Sequence, residues 1–190
     1  GKDGVILVGV GTRGKVEALS SIEELARLAD TAGLQVLGRQ LQIRRKIDSK
    51  LVVGKGKLQD ILIEAMQKDA DALVFDQELT PSQLRNIATA TNIKVIDRSQ
   101  LILDIFAKRA KTREGKLQVE IAQLRYRKPR LKIMPTAMSR LTGGIGGRGP
   151  GETKLEINKR RADERLTTLE RFLKKQGKVR QEQRKRRRRN

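Results

Sequence analysis

The chain opens on an unbroken apolar run, VILVGV at residues 5–10, whose length and lack of alternation suit a strand buried on both faces. Leu19, Ile22, Ala26 and Ala29 then recur at helical spacing until Gly33 supplies a C′ stop. LQVLGRQLQI (34–43) predicts a second strand that ends at Arg44, Arg45 and Lys46. Leu58, Ile61, Leu62 and Ala65 mark a second helix, and ALVFD (72–76) a third strand. Thr80-Pro81-Ser82-Gln83 combines an N-cap, proline at N1 and Gln at N3, a capping box for a helix to about residue 91. KVID (94–97) reads as the fourth strand. Repeated strand and helix imply parallel strands joined by crossovers. The expected fold of residues 1–107 is therefore α/β, a small parallel four-stranded sheet flanked by helices in three layers.

Beyond residue 107 the period stays helical. From Leu101 to Arg127 the pattern predicts one helix, with Leu117, Ile121 and Leu124 on one face and Pro129 ending it. A second helix begins at Glu152, with Leu155, Ala162, Leu166, Leu169 and Leu173 at a and d spacing. Two helices with one-sided apolar stripes bury each other most economically as an antiparallel, coiled-coil-like arm, which assigns 108–190 to a two-helix unit with a tip loop at 132–152. The closing QRKRRRRN reads as a fraying helix end or a tail.

Charge divides the chain at the same place. Residues 1–107 carry 15 Lys and Arg against 14 Asp and Glu, whereas 108–190 carry 28 against 8. A one-sided field of this size points to a polyanion, most often nucleic acid. An anionic membrane would want Trp or Phe on an apolar face. The chain has no Trp and three Phe, and no run of 18 apolar residues or signal segment, so we expect a cytoplasmic protein without a membrane partner. Cysteine and histidine are absent, which removes disulfides, Cys/His zinc sites and histidine acid/base chemistry.

Two loops invite a nucleotide reading. Gly9, Gly11, Gly14 and Lys15 satisfy G-x-G-x-x-G and most of a P-loop, but Val16 stands where a P-loop needs the Ser or Thr hydroxyl that ligates Mg²⁺. Asp30, at the right distance for a ribose contact, falls inside the helical pattern and not at the end of the next strand. The second loop, with Gly54, Lys55, Gly56 and Lys57, puts lysines at a helix start, where they oppose the dipole. Gly9, Gly14, Lys15, Lys55 and Lys57 are thus weak cofactor candidates, and a structural β-to-α turn explains the first loop more cheaply. The carboxylates Asp69, Asp71, Asp76 and Glu78 surround the third strand, where capping and turn formation account for them. No metal site and no catalytic residue is expected.

The segment richest in candidate chemistry lies between the two arm helices. Gly143, Gly144, Gly146, Gly147, Gly149 and Gly151 enclose Arg148 and Pro150, so backbone N–H groups are accessible at close range to phosphates or packed RNA. Arg125, Arg127, Lys128, Arg130, Lys132 and Arg140 precede it, able to follow a phosphate backbone. Tyr126 is the only aromatic residue among them, which favours reading RNA by charge and shape over base stacking.

DQELTPSQLRN (76–86), DRSQLILDIFAKRAKTREGKLQVEIAQLRYRKPRL (97–131) and GGIGGRGPGETKLE (143–156) resemble the N-terminal region of the HflX family of ribosome-associated GTPases, over about residues 20–175. The resemblance implies an α/β domain followed by a two-helix arm that enters the large ribosomal subunit. The loop from Gly143 to Gly151, with Arg148 and Arg140, would then approach 23S rRNA near the peptidyl transferase centre, in splitting or rescue of stalled ribosomes under stress. The resemblance also implies a GTPase domain, with GTP and Mg²⁺, beyond residue 190. This chain is then expected to act as a monomer, to bind no cofactor of its own and to hydrolyse no GTP. Gly147 replaces a small hydroxyl residue of many relatives, and GVGTRGKV falls in a length-variable turn. Two other readings stay open: an ATP-binding α/β domain with its own hydrolysis, and a coiled-coil module that recruits protein.

Overall fold

The computed structural model describes residues 1–130 and 154–189. It divides into two compact units, Gly1–Ile105 and Phe106–Asn190. The elements run β1 (Gly4–Gly11), α1 (Lys15–Thr31), β2 (Gln35–Ile43), α2 (Lys55–Gln67), β3 (Ala72–Phe75), α3 (Pro81–Ala90), β4 (Lys94–Asp97), α4 (Arg98–Arg109), α5 (Arg113–Arg127), a 3₁₀ turn (Lys128–Arg130) and α6 (Lys154–Arg189).

The four strands form one parallel sheet in the order β2-β1-β3-β4. The central β1 is buried along its whole length, which is why its sequence is continuously apolar. Edge strand β2 is only partly covered, and its sequence mixes Gln and Arg with apolar residues. The chain moves from β1 to β2 in one direction and returns past β1 to β3 in the other. Right-handed crossovers therefore place α1 and α2 on opposite faces of the sheet. Val5, Leu7, Ala72 and Val74 pack with Ile22, Leu25, Ala26 and Ala29 of α1 and Leu101 and Ile105 of α4. The alternate residues Ile6, Val8, Leu73 and Phe75 are fully buried on the other face, as are Ile61 of α2 and Ile87 of α3. Three layers result, as the alternation of periods predicts.

Local signals set the boundaries. Thr80 accepts from the Gln83 N–H at 3.1 Å and the Gln83 side chain accepts from the Thr80 N–H at 3.0 Å, completing the capping box. Gly33 ends α1 at φ 81°, a left-handed conformation that glycine adopts without strain.

In the second unit α5 and α6 are antiparallel. Glu114 in the first turn of α5 pairs with Arg180, and Lys128 just past its end pairs with Asp163 at 2.5 Å. Between them Arg165 meets Glu120 at 2.9 Å and Arg125 meets Glu170 at 2.6 Å. Ile121 and Leu169 are the buried centre of this unit, and Leu117, Leu124, Leu166 and Leu173 are partly buried beside them. Each ion pair is exposed and contributes a few tenths of a kcal/mol to about 1 kcal/mol, so the apolar seam sets the pairing and the charges set its direction and register.

Two expectations are corrected. The helix predicted from Leu101 to Arg127 is two helices, because Thr112 caps a new start by accepting from the Gly115 N–H at 3.0 Å, after Lys108 and Arg109 close α4. The basic terminus read as a frayed end or tail is helical through Arg189. Lysine and arginine are good helix formers, and cations near a helix C-terminus are favoured by its dipole.

Candidate nucleic-acid interface

Arg125, Arg127, Lys128 and Arg130 lie at the end of α5 and in the 3₁₀ turn that follows. Their roles separate in three dimensions. Arg125 and Lys128 face α6 through ion pairs with Glu170 and Asp163, and both remain substantially exposed. Arg130 is buried: its guanidinium donates to the Tyr126 carbonyl at 2.8 Å and stacks 3.9 Å from the Tyr126 ring centroid. Arg127 is exposed. The end of α5 is thus partly a fastening for the helix pair. Lys132, Arg140, Gly143, Gly144, Gly146, Gly147, Arg148, Gly149, Pro150 and Gly151 lie outside the described residues.

In the α/β unit the glycines of the first loop answer to packing. A Cβ on Gly11 would lie 2.6 Å from the Ala18 Cβ and 2.8 Å from the Ile43 Cδ1, so the strand end approaches α1 too closely for any side chain. One on Gly9 would press on Ile22 and Leu41, each 3.2 Å away. Gly14 holds φ 106° as the residue before α1, and its carbonyl accepts from Ala18. Lys15 opens the helix on the surface beside Val16, which is 82% exposed and offers no hydroxyl to a cation. No cluster of carboxylates able to hold a metal occurs among the described residues. The first loop therefore lacks the Ser or Thr hydroxyl through which a P-loop holds Mg²⁺.

The loop from β2 to α2 is held from several sides. Gln83 Nε2 donates to the Asp48 carbonyl at 3.0 Å, Asn86 Nδ2 to the Lys50 carbonyl at 3.2 Å, and Gln42 Oε1 accepts from the Gly54 N–H at 2.8 Å. Asp48 and Val52 exchange backbone hydrogen bonds, and Val52 is fully buried at φ 69°, a conformation rare for a β-branched residue. The Asp48 carboxylate accepts from the Leu51 and Lys50 N–H groups, both at 2.8 Å. Those two donors, ahead of the charges of Arg44 and Lys50, hold its carboxyl below the usual carboxylate range. Lys55 and Lys57 occupy the first turn of α2, which begins at Gly54 without a side-chain cap.

A carboxylate with a depressed folded-state pKa adds stability above its unfolded value, about pH 4, and loses it as pH falls through the folded value. Asp48→Asn keeps an acceptor for the turn and removes this pH-dependent part. The stability curves of the two proteins should then be separated at neutral pH and converge below about pH 4. Thermal melts from pH 2.5 to 7 read this, and curves that stay parallel would exclude Asp48 as the source.

Of the carboxylates around β3, Asp71 accepts from the Gly4 N–H at 2.7 Å, and Asp69 sits in a turn at φ 53°. Asp76 takes part in a cluster that sequence reasoning missed. Arg98 Nη2 and Nε reach Asp76 Oδ1 at 2.6 and 2.9 Å, Ser21 Oγ donates to Asp76 Oδ2 at 2.5 Å, and Arg98 also pairs with Glu24 at 3.3 Å. Ser21, Asp76 and Arg98 are 77 positions apart at the extremes, and no local pattern links them.

A parallel sheet with a basic helix pair after it defines a class. The model of the N-terminal region of GTP-binding GTPases matches residues 19–107, and that of their middle region matches residues 109–187. The chain is 48% identical over 165 residues to the GTPase HflX of Lacrimispora saccharolytica, covering 87% of this chain and 39% of that protein. It is 44% identical over 189 residues to that of Caldanaerobacter subterraneus (100% and 44%) and 40% over 164 residues to that of Escherichia coli (86% and 38%). The chain belongs to the HflX family. It spans about 40% of the length of these relatives. Among solved structures, that of SsGBP with GDP has a TM-score of 0.66 at 20% identity, covering 94% of this chain and 45% of that one. A GTP-binding protein from Sulfolobus solfataricus in complex with GDP has a TM-score of 0.55 at 21% identity, covering 87% and 45%. At these identities the likeness is one of fold.

Proposed function

We propose that this region is the ribosome-binding part of an HflX-type GTPase. In this reading the two-helix arm carries the loop at 132–152, with Arg140 and Arg148, to 23S rRNA of the large subunit near the peptidyl transferase centre. GTP and Mg²⁺ belong to a GTPase domain elsewhere in the whole protein, which splits or rescues stalled ribosomes under stress in the cytoplasm. The region itself acts as a monomer and without hydrolysis.

The observation that carries this reading is the charge of the second unit. Of its cations, Arg125, Lys128, Arg165 and Arg180 are matched by carboxylates on the facing helix, yet 108–190 holds 28 Lys and Arg against 8 Asp and Glu. The surplus exceeds what joining two helices or solubility requires. It suits phosphates approached first by long-range attraction and then by an accessible glycine backbone.

Co-sedimentation with purified large subunits across a salt series, beside a variant lacking residues 143–151, tests the reading. Saturable binding that survives moderate salt and falls at least tenfold on the deletion is expected, and Arg140→Ala with Arg148→Ala should together weaken binding by about tenfold or more. Binding that ignores the deletion and vanishes with salt would sink it.

A further inference from the structure

The near-neutral total of the α/β unit conceals a strong segregation. Residues 12–17 and 44–57 hold eight cations, Arg13, Lys15, Arg44, Arg45, Lys46, Lys50, Lys55 and Lys57, against two carboxylates, Glu17 and Asp48. The rest of 1–107 holds seven Lys and Arg against twelve Asp and Glu. These two segments are neighbours, for they follow the carboxyl ends of the adjacent strands β1 and β2, and the Arg44 N–H donates to the Gly11 carbonyl at 3.0 Å. None of the eight enters a salt bridge with a carboxylate among the described residues, and six of them are exposed. Asp48, the carboxylate within the loop, is occupied by backbone N–H groups.

We propose that this carboxyl edge of the sheet is a second RNA-binding surface, which grips the phosphate backbone of double-helical RNA independently of the arm. The inference rests on the ribosome reading for the identity of that RNA.

Three features favour this occupant. The cations stand on a fixed loop, tied by Gln42, Gln83, Asn86 and the Asp48–Val52 pair, so little ordering entropy opposes binding. Lys15 begins α1 on one face of the sheet, and Lys55 and Lys57 begin α2 on the other. With layers about 10 Å apart the cations spread over about 20 Å, a span suited to successive phosphates of a polymer rather than to one small anion. No aromatic residue lies in either segment, which argues against base stacking and against anchoring in a membrane interface.

The test compares the chain with a variant carrying Arg45→Ala, Lys46→Ala, Lys50→Ala and Lys55→Ala, all at exposed positions, so the fold should be retained and is checked by thermal melting. Affinity for large subunits is measured against salt. Chemical acetylation of Lys46, Lys50 and Lys55, read by mass spectrometry, is then followed with subunits, with a 20-base-pair RNA duplex and with anionic vesicles. The expected result is at least tenfold weaker binding of the variant to subunits near 0.1 M salt, a log–log slope shallower by about three, and protection of the three lysines by subunits and duplex. If the parent chain binds subunits and the variant matches it in affinity and slope, the edge is not an RNA surface while the ribosome reading stands. If subunits are not bound saturably but the duplex protects the lysines, the ribosome reading fails and the edge remains an RNA surface. Protection by vesicles alone, or by none of the three, would overturn the proposal.

Discussion

Phe75→Ala should lower the unfolding free energy of the α/β unit by about 3–5 kcal/mol. Phe75 is fully buried at the end of β3, aligned with Val8 of β1 on one side and Asp97 of β4 on the other. Truncation removes the ring from a face where Ile6, Val8 and Leu73 are also inaccessible, and a rigid parallel sheet cannot collapse to fill the void. Hydrogen exchange of peptides covering β1 and β3 in a urea series measures the loss within this unit, apart from the helical signal of the other. Met66, 76% exposed on α2 of the same unit, supplies the exposed control, and its replacement by alanine should shift stability by about 0.5 kcal/mol or less. Equal effects at the two positions would contradict the packing described here.

Arg98→Ala should destabilise the same unit by about 3 kcal/mol, through what it leaves behind rather than through the contact it removes. The Asp76 side chain is 7% exposed and that of Arg98 22%. Without the guanidinium, Asp76 keeps, among the described residues, the Ser21 hydroxyl as its side-chain donor, a poor counterpart for a buried carboxylate. Adding Asp76→Asn to Arg98→Ala removes the stranded charge, so the double variant should recover a good part of the loss, with a coupling of at least about 1 kcal/mol. Arg98→Lys should rescue less well, since one ammonium cannot reproduce bonds from Nε and Nη2 to Asp76 together with the 3.0 Å bond to the Ser21 carbonyl. Strict additivity of the two single changes would show that the pair is not coupled.

Much of the fold was legible because its signals are local. A continuous apolar run such as 5–10 has one economical place, the centre of a parallel sheet, and Thr80-Pro81-Ser82-Gln83 states a helix start in four residues. The break at residues 110–112 was harder to see. Lys108, Arg109 and Thr112 mark a helix end and a new cap, but the helical period continues across them, and periodicity alone does not register a change of axis. The basic terminus misled for the opposite reason, since charge density suggests a tail while lysine and arginine are intrinsically comfortable in a helix.

For the candidate site, counting charge located the basic half but could not say which cations are free. Arg125, Lys128 and Arg130 look alike in RYRKPR. One meets Glu170, one meets Asp163, and one is buried against Tyr126. The same limitation hid the cationic edge of the α/β unit, where seven cations and twelve carboxylates elsewhere in 1–107 mask the excess when charge is summed along the chain.

By itself the sequence determined the class of the fold, the order of its strands and of the helices between them, the cap that begins α3, the charge of each half and the exclusion of cysteine and histidine chemistry. These follow from composition and from patterns that repeat within a few residues. Only the tertiary structure decided that Gly9 and Gly11 serve packing, that Asp76 belongs to Arg98 and Ser21, that Val52 and Asp48 brace a loop, and that residues 12–17 and 44–57 form one positive edge. Apart from the local Asp48–Val52 bridge, those facts join residues that the strand order and its crossovers bring together. A parallel crossover carries the chain away and back again, so its consequences are written in pairings that no short window of sequence contains.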